Sequence, residues 1–280
     1  MCVIQYLRPL IAAAVLLLPA AGPLAQNQTA QKEYEPQPYQ AGKDVVWLPT
    51  PQSLVDKMLD MGKVTPNDFV IDLGSGDGIT VIAAAKRGAR ALGIEYNPDM
   101  VELSTRNAEK AGVSARAKFI KADLFETDFG KATVVTMYLL QELNLKLRPK
   151  IYALRPGTRV VSHAFDMGEW KPDRTQTVDN RTAFLWIVPA KVAGVWRLPQ
   201  GELTLRQEFQ MIEGTLKRGD RAVPVSGGRL RGSQIRFNAG GGEYRGKVVG
   251  DTIKGSVKRG DNQSTWHATR HPVNPDAALK

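Results

Sequence analysis

The sequence contains one cysteine, Cys2, and three histidines, His163, His267 and His271. A lone thiol excludes an internal disulfide framework and a zinc site built on thiolates. Three scattered imidazoles leave no histidine-rich centre, so no metal site is expected. Aromatic residues are scarce at 7%, and the one long apolar run lies at the start of the chain. What is present is ordinary: 42% hydrophobic and 24% charged residues exclude a disordered or collagen-like chain. The 280 residues allow one large domain or two of common size.

Residues 1–25 carry a single charge, Arg8, then an apolar run and a tail of small residues, the pattern of a secretory signal peptide. The run from Leu10 to Leu18 is too short to span a bilayer, and extending it crosses Pro19, Gly22 and Pro23. Cys2 precedes the apolar core, so it is not a lipid-attachment cysteine. The expectation is export across the cytoplasmic membrane to a periplasmic or secreted location, with an uncleaved N-terminal anchor as the alternative. Residues 26–42 contain Gln, Pro and Tyr with almost no aliphatic side chain and read as a linker.

Short apolar runs then alternate with amphipathic stretches. Helices are expected over Pro51–Met61, Thr80–Arg87, Asn97–Ala111 and Leu145–Leu154, the last interrupted by Pro149. Strands are expected at Phe69–Leu73, Ala91–Ile94, Ala117–Lys121, Thr133–Tyr138 and Arg159–Phe165. Strand alternating with helix implies βαβ units on a parallel sheet, here spanning residues 43–188. Past Pro189 the helical period disappears. Alternating runs (Leu203–Gln210, Arg229–Phe237, Glu243–Val249, Thr252–Val257, Thr265–Thr269) are separated by glycine-containing turns, the pattern of a small antiparallel barrel or sandwich over residues 189–271, with 272–280 as a tail.

Residues 190–271 hold 15 Lys and Arg against 7 Asp and Glu, whereas residues 42–185 hold 20 against 18. The basic character therefore belongs to the β domain and suits an anionic partner. Its Phe209, Phe237, Tyr244 and Trp266 are too few for a base-stacking platform, so specific nucleic-acid binding is not expected. A solvated outer face of a half-buried sheet explains the same alternation.

The segment Val70-Ile71-Asp72-Leu73-Gly74-Ser75-Gly76-Asp77-Gly78 carries the chemistry. A buried strand runs into a turn with three glycines and then a helix, which lets backbone approach a ligand closely. A dinucleotide site would use G-x-G-x-x-G; here the spacing is G-x-G-x-G, and Asp72 and Asp77 would repel a diphosphate. They suit a cationic ligand without phosphate, and S-adenosylmethionine is one. Glu95, ending the next strand, is placed to accept both ribose hydroxyls. Asp123 follows the third strand and can accept the adenine amino hydrogen while Leu124 or Phe125 covers the ring.

These residues resemble motif I and the following motifs of the class I, seven-strand methyltransferases. Residues 46–175 are similar, more narrowly, to lysine methyltransferases of mitochondrial inner-membrane proteins and their archaeal relatives, through Trp47–Pro51, Asp72–Gly78, Glu95, Asp123–Phe125, Thr136–Leu140 and Arg155–Ser162. The resemblance implies a Rossmann-like sheet with helices on both faces, S-adenosylmethionine as donor, and a protein lysine as acceptor, one on a membrane-associated protein included. The β domain lies outside it.

Methyl transfer to lysine needs a neutral amine, and with a free pKa of ~10.4 only about one lysine in a thousand is neutral near pH ~7.4. A desolvated slot beside a positive charge lowers that pKa without a strong base. Tyr138, ending the fourth strand, is the candidate for lining it. Trp47 to Thr50 is expected to fold over the methionine end of the donor, or to be a helix entry with Thr50 as N-cap. Asp77 reads as a donor-site organiser, His163 and Asp166 as acid/base or turn-orienting residues, and Trp170 as core or slot wall. The rival readings are a small-molecule or lipid-headgroup methyltransferase, and an exported non-catalytic binding module on the same fold.

Overall fold

The computed structural model describes Met1, residues 34–44 and residues 46–271; the expected signal peptide, most of the linker and the tail lie outside the described residues. The first half of the described chain forms α1 (Gln52–Met61), β1 (Phe69–Leu73), α2 (Ile79–Lys86), β2 (Arg90–Glu95), α3 (Pro98–Lys110), β3 (Ala117–Lys121), β4 (Val134–Met137), α4 (Gln141–Tyr152), β5 (Arg159–His163), β6 (Arg174–Val178) and β7 (Arg181–Ile187). The sheet order is β3-β2-β1-β4-β5-β7-β6. β1 to β5 are parallel, and β7 runs antiparallel to both β5 and β6.

Alternation along the central strands builds the two faces. Val70 and Val134 pack with Val55 and Leu59 of α1 and Val81 of α2. Ile71, Leu73, Val135 and Met137 pack instead with Leu147 and Ile151 of α4. α3 starts where Asn97 Oδ1 accepts from Asp99 N at 2.9 Å and Pro98 fills the first helical position.

The fourth helix begins at Gln141, earlier than the expected Leu145. Asn144, Leu147 and Ile151 supply its buried face, and Pro149 is held inside it. Polar Gln141 and Glu142 hide that start, and packing against β4 and β5 outweighs the bond lost at the proline. The β6–β7 hairpin also has no clear signal, because Arg174–Val178 is an edge strand with no fully buried side chain.

Eight further strands, β8 (Gly194–Leu198), β9 (Gly201–Glu208), β10 (Met211–Arg218), β11 (Arg221–Arg231), β12 (Gln234–Ala239), β13 (Gly242–Val249), β14 (Thr252–Arg259) and β15 (Asn262–Arg270), close into an antiparallel barrel. The run expected as one strand over Arg229–Phe237 is the end of β11, a turn at Gly232-Ser233 and most of β12. Inward residues fill the interior, led by Trp196, Phe237, Tyr244 and Trp266. Closure needs close backbone approach at Gly255, where a Cβ would lie 1.9 Å from the Arg245 carbonyl oxygen.

One end of the barrel sits on the α4 face of the sheet domain. Phe209, in the β9–β10 turn, stacks on Trp170 with ring centres 5.6 Å apart, and Tyr152 meets both rings edge-on. Gln210 Nε2 donates to the Lys171 carbonyl at 2.7 Å, and Arg229 Nη2 pairs with Asp173 Oδ1 at 2.7 Å. Trp170 is therefore a core and junction residue, and it takes no part in an acceptor slot.

Candidate active site

The C-terminal ends of β1, β2 and β4 open onto a cleft of about 200 Å³, the position where open α/β sheets bind ligands. Thr50, Asp72, Gly74, Ser75, Gly76, Asp77, Glu95, Asp123, Leu124 and Tyr138 all line it. The glycine loop is tied to β2, with Gly74 N and Ser75 N both donating to the Ile94 carbonyl. Gly74 and Gly76 have φ of 76° and 51°, and a Cβ on Gly76 would meet the Trp47 indole at 2.7 Å. Trp47 thus rests directly on the loop.

Asp72 is buried at the base of the cleft. Its neighbour across the sheet, Thr136, donates to Asp72 Oδ1 at 2.6 Å. Burial, with added repulsion from Asp77 and Glu95, pushes the Asp72 carboxyl up to about 7 despite that bond. Burial also raises Asp77, whose Oδ1 accepts from Ile79 N at 3.2 Å. Three acidic groups around one desolvated space favour a cation. The donor set therefore fits a sulfonium and an ammonium, and it opposes a phosphate.

Glu95 is more heavily engaged than its spacing suggests. Oε2 accepts from Gly76 N at 2.9 Å, and Oε1 accepts from Tyr96 N at 2.9 Å and Asn97 N at 3.0 Å. These backbone bonds fix the carboxylate at the cleft, where its remaining acceptor capacity is open to ribose hydroxyls. Asp123 Oδ1 accepts from Phe125 N at 2.8 Å, and Lys43 Nζ donates to Asp123 Oδ2. The Lys43 bond holds the Asp123 carboxyl below its usual range, and the same bond raises Lys43.

Lys43 is the first residue of the expected sheet domain, directly after the expected linker. Tyr39 N donates to Trp47 O and Trp47 N to Gln40 O, both at 2.9 Å, so that Tyr39–Asp44 and Val46–Trp47 form a strap along the cleft. Gln40, Ala41 and Gly42 line the cleft, so the expected linker boundary at residue 42 falls inside the site. The signal missed was Lys43 itself, a cation immediately before the Trp47–Thr50 stretch.

Two expected site residues lie off the cleft. Gly78 caps α2 with φ of 84°, and a Cβ there would meet Phe119 Cζ at 2.7 Å and Ser104 Cβ at 2.8 Å. Its lack of a side chain serves helix packing, not ligand approach. Phe125 packs into the α4-side core, with Lys146 Nζ 4.0 Å from its ring centre, which leaves Leu124 to cover a ligand ring. Ser75 borders the cleft, but its hydroxyl is turned against Gly93, where a Cβ would lie 2.4 Å from Oγ. Thr50 is not an N-cap, since α1 is preceded by Pro51 and has no side-chain cap.

Tyr138 stands at the other end of the cleft on His163, with ring centres 3.8 Å apart. Burial, with help from Arg181, lowers His163 to about 4, so at neutral pH it is an uncharged platform and not an acid. Thr50 Oγ1 lies 3.4 Å from its Nδ1. The chain then turns sharply: Phe165 N donates to His163 O at 2.8 Å around Ala164, whose φ is 64°. This strained turn aims Phe165 into the cleft wall, 6.5 Å from the Tyr138 ring. Asp166 orients the same turn by accepting from Gly168 N at 2.9 Å and Gln141 Nε2 at 3.0 Å.

The strand order, the antiparallel seventh strand and the acidic cleft at the strand ends define a class I methyltransferase. Comparison with known proteins narrows this. The family described as the ANTKMT methyltransferase domain matches residues 72–174. A protein-lysine N-methyltransferase of Saccharolobus islandicus (strain REY15A) is 42% identical over 151 residues, which is 51% of this chain and 94% of that protein. The adenine nucleotide translocase lysine N-methyltransferase of Mus musculus is 37% identical over 120 residues, covering 42% of this chain and 52% of the mouse protein. Among solved structures, an RNA methyltransferase from Salinibacter ruber in complex with S-adenosyl-L-homocysteine is 49% identical, with a TM-score of 0.51 over 52% of this chain and 96% of its own. The chain belongs to the S-adenosylmethionine-dependent methyltransferases of the protein-lysine type. It is an enzyme, and S-adenosylmethionine is its methyl donor.

Proposed function

We propose that the enzyme methylates the Nζ of a lysine that an apolar protein segment at a membrane surface presents to the Tyr138 end of the cleft. The observation that carries this reading is the apolar rim there: Leu140 is 45% exposed, and Leu143 and Phe165 complete the wall around Tyr138. An exposed leucine beside a cleft favours an acceptor whose flanking residues are themselves apolar.

The donor supplies an electrophilic methyl on a positively charged sulfur. Asp72 and Asp77 balance that charge, Glu95 takes a ribose hydroxyl, and Asp123 with Leu124 receives the base once Lys43 yields. Trp47 closes over the glycine loop and excludes water. Tyr138, backed by neutral His163, offers a ring face and a hydroxyl to the incoming amine. Desolvation there sheds the ammonium proton to solvent before transfer, so no buried strong base is required.

The outer face of the barrel supports an anionic partner. Arg229 pairs across strands with Arg236, and Arg236 with Arg245, while Lys247 faces Lys254. Like charges placed opposite one another are unfavourable until an anion meets them. The leader read in residues 1–25 supports export or N-terminal anchoring, which a compartment-specific reporter fused after Lys280 tests directly.

The acceptor test uses radiolabelled donor and three acceptors: a lysine peptide with apolar flanks, the same lysine with acidic flanks, and single-stranded RNA. Label in the first, lost with Tyr138→Ala, is expected. Label only in the RNA overturns the lysine reading, and equal label in both peptides overturns the apolar-segment reading.

A further inference from the structure

The barrel has a second, separate pocket. Hairpin turns at Gly219-Asp220, Gly240-Gly241 and Gly260-Asp261 gather at the end opposite the Phe209 turn, because successive antiparallel strands alternate direction. At that far end a pocket of about 140 Å³ has Leu216, Val223 and Ala239 as its floor and Arg218, Arg221 and Arg259 around its rim.

The arginines belong to the inward-facing series of their strands, although Arg218 and Arg221 are exposed at the barrel mouth. Burial alternates along each strand, and the inward set is Ile212 and Leu216 in β10, Val223 and Val225 in β11, and Ile253 and Val257 in β14. Arg218, Arg221 and Arg259 continue those three inward series at the strand ends. Three cations thus point to one axis, and no ion pair joins any of them to a carboxylate among the described residues.

Tyr244 organises the group. Its ring is buried and stacked on Phe237 at 4.7 Å, and its hydroxyl oxygen accepts from Arg218 Nη2 at 2.9 Å and Arg259 Nη2 at 2.7 Å. Two acceptances occupy both lone pairs, and the O–H hydrogen has no acceptor among the described residues, so it is free for a ligand in the pocket that Tyr244 lines. The rim therefore offers a hydroxyl donor flanked by two guanidinium forks.

We propose that this mouth is a binding site for a carboxylate carried on a short apolar group. The carboxylate takes the Tyr244 O–H and the free N–H groups of Arg218 and Arg259, with Arg221 closing over it, and the apolar stub covers Leu216, Val223 and Ala239. Guanidinium forks match a planar carboxylate in pairs of parallel bonds. The apolar floor and small volume disfavour a hydrated phosphate dianion. The same chemistry arises from a free branched-chain acid or from the C-terminus of a polypeptide with an apolar last residue. The site is independent of the methyl-transfer cleft.

The test is calorimetric titration of the full chain with isovalerate, N-acetylvaline, N-acetylvalinamide and inorganic phosphate. The free acid and N-acetylvaline are expected to bind and the amide is not. Tighter binding of N-acetylvaline assigns the site to a chain terminus; tighter binding of isovalerate assigns it to a free acid. Tyr244→Phe keeps the ring stack and removes the hydroxyl, and Arg218→Gln removes one fork; each is expected to weaken binding about tenfold or more. Arg206→Gln, exposed on β9 opposite Glu213, is expected to leave affinity unchanged, and binding of S-adenosylhomocysteine by every variant reports that the chain is folded. No carboxylate binding up to about 10 mM overturns the proposal, because several charge-assisted bonds made together exceed that threshold. So does equal loss in Arg206→Gln, or phosphate binding as tight as N-acetylvaline.

Discussion

Asp72 is a residue kept for its ligand at a cost to the fold. An acid whose folded pKa is raised binds protons in the native state that the unfolded chain has already released, so stability falls as pH rises from about 4 towards its folded value of about 7. Asp72→Asn removes that charge while keeping a partner for Thr136. The variant is expected to melt higher than wild type at pH ~8, on the order of 5 °C, with the gap closing near pH ~4. It is also expected to lose at least about tenfold in donor affinity, because a buried carboxylate facing a cation is replaced by a neutral amide. Wild-type donor affinity should climb as pH rises through about 7, where Asp72 ionises, a dependence absent from the variant. Melting curves and calorimetric titrations over that range check both signs. Tyr138 is the matching test at the acceptor end: Tyr138→Phe keeps the ring on His163 and should reduce kcat modestly, while Tyr138→Ala removes the wall and should cost about a hundredfold. A parallel loss of kcat in both variants places the role in the hydroxyl, and an unchanged kcat in both removes Tyr138 from the slot.

The elements that carry the donor site are readable in the sequence because their chemistry is local. Apolar strands ending in Asp72 and Glu95, and the glycines between them, report their roles within a few residues. Elements whose reason is distant are harder. Residues 39–42 of the strap fall in the aliphatic-poor stretch that reads as a linker, and only the pairing of Tyr39 and Gln40 with Trp47, which lies on Gly76, gives them a place. The start of α4 is hidden because its anchoring residue is Asn144, a polar side chain whose Nδ2 donates to Ser162 Oγ and the Phe165 and Asp166 carbonyls. Thr136 is visible as one polar residue in the run Val134–Met137, but its bond to Asp72 requires the β1–β4 register. The strap makes a kinetic prediction. Trp47→Ala takes away a cover and no donor contact of the carboxylates, so S-adenosylhomocysteine should dissociate about tenfold faster with little change in melting temperature. Gly76→Ala forces a Cβ into the indole at positive φ and should cost about 1–3 kcal/mol in stability as well. Stopped-flow release and thermal melts separate the two variants; equal release rates from Trp47→Ala and wild type would remove the strap from the donor site.

At the scale of the whole molecule, the two halves divide charge as well as shape. The sheet domain is nearly neutral, whereas the barrel concentrates its excess of Lys and Arg on an outer face where cross-strand neighbours repel. Arg229 escapes by pairing with Asp173 across the junction, and Arg270 by pairing with Asp251. Arg236 and Arg245 face each other with no carboxylate within salt-bridge distance among the described residues. The sequence exposes this charge excess but not its register, because the expected Arg229–Phe237 strand runs through a turn and conceals which arginines are opposed. Such exposed repulsion is screened within about 10 Å at ~0.1 M salt, so the barrel should gain stability between ~10 mM and ~150 mM sodium chloride. Arg245→Thr should raise the melting temperature at low salt by an amount worth about 0.2–1 kcal/mol, and by less at the higher salt. Scanning calorimetry at the two concentrations checks this. A melting temperature independent of salt in both proteins would show that the arginines already have anions of their own, and the outer face would then not be the surface held open for a partner.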